Sequence, residues 1–137
     1  MNTRCFQLFA ILALLSHGMM SNVFGGDWAQ WRGPNRDAKS KETGLLKTWP
    51  ENGPPLAWKV TGVGGGYSSI AIANGRIFTM GDLDDGSYAI VLNEPDGSLI
   101  WKTRIGEAGG HKRYPGPRGT PTIDNGDVFV LNQYADL

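Results

Sequence analysis

The sequence predicts an all-β fold built from four-stranded antiparallel units, and three features predict it. Short apolar runs of four to eight residues alternate with glycine- and proline-rich turns, the chain carrying 20 Gly and 8 Pro. Asn-Gly pairs stand between two such runs twice, at Asn74-Gly75 and Asn125-Gly126. A strand containing Trp-Lys also occurs twice, at Trp58 and Trp101. Spacing of this kind in units of about forty residues fits a β-propeller of four-stranded blades.

The elements follow in chain order. Residues 1–25 have a signal-peptide layout: Arg4 is the one early charge, Phe6 to Leu15 is almost uninterruptedly apolar, and Val23 and Gly25 place small residues before a cut at Gly26. The apolar run is too short for a permanent span, since about 20 helical residues are needed to cross a bilayer core. Residues 26–55 contain Gly33-Pro34, Trp49-Pro50 and Gly53-Pro54-Pro55 without a sustained period, so they read as an extended lead-in. Burial of a large side chain stabilises by about 1.5–3 kcal/mol, so Trp28, Trp31 and Trp49 are expected to lie against the folded body.

Regular signals fill residues 56–137. Leu56 to Val60, Tyr67 to Ala73, Arg76 to Met80, Tyr88 to Asn93 and Leu99 to Ile105 each read as strands. Asn74-Gly75 is a type I′ hairpin signal, because both central residues of that turn need positive φ. Asp82 to Ser87 reads as a polar loop, and Asp96-Gly97 as a second tight turn. Leu56-Ala57-Trp58-Lys59-Val60 recurs as Leu99-Ile100-Trp101-Lys102-Thr103, 43 residues later, while the Asn-Gly hairpin recurs with an offset of 51. The additional eight residues fall in the loop from Gly106 to Arg118, where Tyr114-Pro115-Gly116-Pro117 is expected to break regular structure.

Composition narrows the function classes. The 13 basic and 13 acidic residues balance, leaving no electrostatic footprint for nucleic acid or an anionic membrane. Cys5 is the one cysteine and lies in the signal, so the exported chain has no disulfide, no haem-attachment motif and no cysteine-based zinc site. A periplasmic or secreted protein with no membrane span after signal removal is expected. Asp82, Asp84 and Asp85 precede Gly86 but do not fit a calcium loop, because Gly86 stands where an Asp or Asn is required and no Glu follows at the twelfth position. Gly62, Gly64, Gly65 and Gly66 lack the following Lys-Ser/Thr of a phosphate loop. No metal site is assigned and the catalytic and cofactor-binding residues stay unknown. The candidate ligand loop is the basic one, with His111, Arg113 and Arg118 available to an anion or acid.

The run Ala73-Asn74-Gly75 through Leu92-Asn93-Glu94-Pro95-Asp96-Gly97 to Trp101 resembles the repeat of the PQQ-like (pyrroloquinoline-quinone repeat) β-propellers, with Asp96-Gly97 where Thr-Gly is usual. The opening Asp27-Trp28-Ala29-Gln30-Trp31-Arg32-Gly33-Pro34 is similar to that of secreted bacterial members. The resemblance implies structural roles for Trp58 and Trp101, docking between blades, and makes Leu56 to Val60 similar to a ring-closing strand. It also implies an incomplete propeller, with about one to two blades in this chain. Two functions follow from it. The first is a binding or interaction scaffold without a cofactor, taking protein partners or a small molecule at the propeller face. The second is the N-terminal part of a PQQ-dependent alcohol dehydrogenase, for which PQQ and calcium would be needed.

Overall fold

A computed structural model describes residues 25–137, so the predicted signal segment falls outside the described residues except for Gly25. The fold is all-β. Eight strands are formed: β1 (Ala71–Ala73), β2 (Arg76–Leu83), β3 (Gly86–Asn93), β4 (Leu99–Gly106), β5 (Gly110–His111), β6 (Tyr114–Pro115), β7 (Thr122–Asp124) and β8 (Asp127–Phe129). β1 to β4 make one antiparallel sheet in sequence order, and β5–β6 and β7–β8 are separate two-stranded sheets.

Both Asn-Gly turns have the backbone that their sequence predicts. Asn74 and Gly75 have φ of 53° and 70°, and Asn125 and Gly126 have φ of 49° and 92°. Only residues tolerant of the left-handed region close a two-residue hairpin with the twist of the flanking strands. Asp96-Gly97 closes differently. Asn93 N–H donates to Ser98 O and Gly97 N–H to Asn93 O, so the connection is a four-residue loop in which Gly97 has φ of 70°. One oxygen of Asp96, Oδ1, accepts from Asn93 Nδ2, Ser98 N and Ser98 Oγ at 2.8, 2.9 and 2.7 Å. These donors hold the Asp96 carboxyl below its ordinary value, the Ser98 amide contributing most.

Strand alternation gives the four-stranded sheet two apolar faces. One carries Ala71, Ala73, Phe78 and Val91, with Trp101, Ala29, Ile123 and Val128 packed against them. The other carries Ile77, Ile90 and Leu92, covered by Trp58, Val60, Val63, Ile72 and Tyr88. The pairing register explains the division: Ala71, Phe78, Val91 and Trp101 lie opposite one another across the four strands, and Ile77 and Leu92 form the neighbouring row. A sheet apolar on both sides must be covered on both sides, and here a separate stretch of chain covers each.

Several expectations are corrected. Leu56–Val60 is not a strand, although Trp58 docks: its Nε1 donates to Glu94 O at 3.0 Å and its ring lies on Gly97. A Cβ at position 97 would fall 2.7 Å from that ring, so the indole requires glycine beneath it. The strand from Tyr67 is confined to Ala71–Ala73, because Tyr67 and Ser68 bond instead to the segment before β7, Tyr67 N–H to Pro117 O and Ser68 Oγ to Gly119 O. The expected loop from Asp82 to Ser87 shrinks to Asp84-Asp85, since the ladder continues through Asp82↔Ser87 and Leu83↔Gly86. Tyr114-Pro115 does not break structure but pairs with Gly110-His111, the proline accepting the strand's extended backbone at an edge.

The lead-in is partly docked. Trp28 pairs with Ile72 through Trp28 N–H to Ile72 O at 2.7 Å and Ile72 N–H to Trp28 O at 3.0 Å, and Ala29 O accepts from Ile123 N at 2.8 Å. Residues 28 and 29 therefore bridge the first strand of each hairpin. Trp31 and Trp49 correct the expectation of burial, being 62% and 69% exposed. The Arg32 guanidinium lies 5.3 Å from the Trp31 ring centre, which gives that indole a cationic neighbour instead of a core.

Candidate functional site

The segment after β4 forms a cleft of about 450 Å³, lined by Gly110, His111, Arg118, Gly119 and the turn Leu131–Tyr134. Its volume lies in the range of small-molecule sites, roughly 300–1,000 Å³. The β5–β6 hairpin forms one wall, and the segment after β8 forms the other.

Asn132 organises the second wall. It is buried, and its Nδ2 donates to Ile105 O at 2.9 Å and to Asp136 Oδ2 at 2.8 Å, while its Oδ1 accepts from the amides of Tyr134 and Asp136. Tyr134 Oη accepts from Gly110 N at 2.8 Å and donates to Ala108 O at 3.3 Å, tying the two walls together. Gln133 Nε2 donates to Glu107 O and to Asp82 Oδ1, at 2.8 and 3.3 Å. Asp82 Oδ2 accepts from Gly109 N at 2.7 Å, so this carboxylate secures the base of the loop from β2.

His111 and Arg118 both line the cleft. The Arg113 amide donates to His111 Nδ1 at 3.2 Å, which leaves the imidazole proton on Nε2. The His111 ring stacks on Tyr114 with centroids 5.5 Å apart at 18°, and Tyr67 meets Tyr114 edge-on at 5.9 Å. An Arg118 terminal nitrogen donates to Tyr114 O, fixing the guanidinium beside the hairpin. Arg113 does not line the cleft; its backbone amide bonds to His111 Nδ1.

Charged groups around the loop are held by local bonds. Arg104 pairs with Glu107 at 2.6 Å, and this hydrogen bond raises the guanidinium's pKa above its ordinary value. Tyr88 Oη donates to Asp85 Oδ2 at 2.9 Å, which raises the phenol because ionisation would break that bond beside a carboxylate. Among the described residues no cluster of three or more His, Cys, Asp or Glu is placed to hold a metal ion. No helix of the described residues is long and apolar enough to cross a membrane.

Trp58 belongs to the cluster of Ile77 with Ile72 at its margin, and Trp101 belongs to the cluster against which Ile123 and Val128 pack. Ile72 and Ile77 become Ile123 and Val128 under the 51-residue offset of the hairpins. Trp58 thus packs onto the hairpin that follows it, whereas Trp101 shares the Ala71–Phe78–Val91 cluster with Ile123 and Val128 of the hairpin that follows it. Asn132, Gln133 and Tyr134 were not singled out by sequence, because polar residues in a short tail carry no periodicity; Asn-x-x-x-Asp, here Asn132 and Asp136, is the local turn signal that marks them.

No family model matches this chain, and neither the curated proteins nor the solved structures include a match to it.

Proposed function

We propose that this chain is a secreted PQQ-like repeat β-propeller protein that serves as a binding scaffold. On this reading Ala71–Gly106 is one four-stranded blade, and Thr122–Phe129 is the opening hairpin of the next. The observation that supports the reading is that each Trp shares a hydrophobic cluster with residues of the hairpin after it: Trp58 with Ile77, and Trp101 with Ile123 and Val128. Blades of a propeller pack face to face, and a large amphipathic ring between them is the side chain that such packing requires. The scaffold role is supported by the cleft beside the inter-blade loop, whose walls are anchored by the hydrogen bonds of Asn132 and Tyr134.

A double-mutant cycle tests the stacking. Trp101→Ala and Ile123→Ala should couple by about 0.5–3 kcal/mol in urea unfolding, as should Trp58→Ala and Ile77→Ala. Absence of coupling in both cycles would remove the blade reading. Titration of the chain with PQQ and Ca²⁺ tests the role: the scaffold reading expects no cofactor absorbance change and no dye-linked alcohol oxidation. Saturable PQQ binding with alcohol oxidation would replace it by the dehydrogenase reading.

A further inference from the structure

The geometry points to a small organic carboxylate as the ligand of the His111–Arg118 cleft, a step that rests on the scaffold reading and names what the scaffold binds.

The hydrogen-bonding inventory of the cleft carries the inference. Both Nδ2 donors of Asn132 are engaged by Ile105 O and Asp136, and its oxygen accepts from two amides. Gln133 Nε2 is engaged by Glu107 O and Asp82, and its oxygen accepts from Ser87 Oγ. Tyr134 Oη both accepts and donates. The remaining polar capacity of the lining side chains is therefore donor capacity: Nε2–H of His111, with Nδ1 already an acceptor, and the guanidinium of Arg118 beyond its bond to Tyr114 O. Side chains that offer donors and no free acceptor favour an acceptor ligand.

Charge and shape reduce the choice further. Arg118 has no carboxylate within ion-pair distance among the described residues, where the one salt bridge is Arg104–Glu107. Lys112 and Arg113 do not line the cleft, so its fixed formal charge is that of one guanidinium. A single planar fork matches a monoanionic carboxylate in charge and geometry, whereas a phosphate dianion calls for a second cation. Leu131, half exposed in the same wall, offers apolar surface to the body of such a ligand. His111 is held against the Tyr114 ring, so its Nε2–H is presented with little rotational freedom to lose.

The experiment is a titration of the ¹⁵N-labelled full chain with sodium benzoate, with inorganic phosphate as the comparison anion at equal ionic strength. Benzoate should give saturable amide shifts at Gly110, Gly119 and Gln133, and phosphate should bind at least tenfold more weakly. Arg118→Gln should weaken benzoate roughly ten- to hundredfold, the value of one charge-assisted interaction. Arg118→Lys should recover only part of that loss, because the fork is gone. Lys112→Gln, outside the lining, should leave affinity unchanged. Each variant's spectrum away from the loop reports whether it has folded, and wild-type saturation is a test that needs no variant. Non-saturating shifts, equal binding of phosphate, or benzoate affinity unchanged in a folded Arg118→Gln would each overturn the assignment. These failures leave the Trp–hairpin couplings untouched, so they are distinguishable from failure of the scaffold reading.

Discussion

The two Asn-Gly hairpins have the same turn and opposite surroundings. β1–β2 and β7–β8 share their register about Asn-Gly, Ala73↔Arg76 in one and Asp124↔Asp127 in the other, and all four turn residues have positive φ. Yet Phe78 is 5% exposed and its counterpart Phe129 is 48% exposed. The difference is in the neighbours: β2 pairs along its full length with β3, while the described partner of β8 is β7 alone. Turn geometry is thus a property of four residues, and burial is a property of what is laid beside them.

The largest test of that contrast is truncation of the two phenylalanines. Phe78→Ala should destabilise by about 3–5 kcal/mol in denaturant unfolding, and Phe129→Ala by less than about 1 kcal/mol. Equal losses would mean that the second hairpin is as deeply packed as the first. Next in size is Gly97→Ala, which places a Cβ against the Trp58 ring at a residue with φ of 70°. A loss of about 1–3 kcal/mol, with a red shift of indole emission as Trp58 leaves its seat, is expected.

Substitution in the turns themselves should erase the contrast. Gly75 and Gly126 both have positive φ and open space around a would-be Cβ, so Gly75→Ala and Gly126→Ala should each cost their own hairpin about 1–2 kcal/mol. Amide exchange within each hairpin measures this, and a marked inequality would show that tertiary contacts reach the turns. The smallest effect concerns Asp96, whose pKa is lowered in the fold. Its stabilisation is complete above the ordinary carboxylate value and disappears as pH falls through the lowered one. Asp96→Asn should flatten that acid limb of the stability profile; an unchanged slope would show that the Asn93 and Ser98 bonds to Asp96 do not depend on its charge.

Different kinds of signal separated the legible parts from the rest. The Asn-Gly hairpins and the β2, β3 and β4 runs could be read because alternation and turn chemistry are local. Leu56–Val60 was misread as a strand because its apolar pattern arises from Trp58 and Val60 packing onto a sheet face, a contact that imposes the same alternation without a ladder. Trp31 was misread as buried because its cost in water was weighed without Arg32 beside it. Of the basic-loop residues expected from residue type, His111 and Arg118 line the cleft and Arg113 does not. The opposite wall escaped notice because its position depends on Asn132 reaching Ile105, 27 residues away.

The sequence by itself determined the all-β class, the two positive-φ turns and the order of strands in the main sheet, since each depends on residues close along the chain. The tertiary structure decided which tryptophans are buried, which face each covers, and how the basic loop meets the Leu131–Tyr134 turn. Those outcomes depend on side chains meeting across dozens of residues, where the free energy of contact comes from packing and hydrogen-bond satisfaction and no local pattern records it.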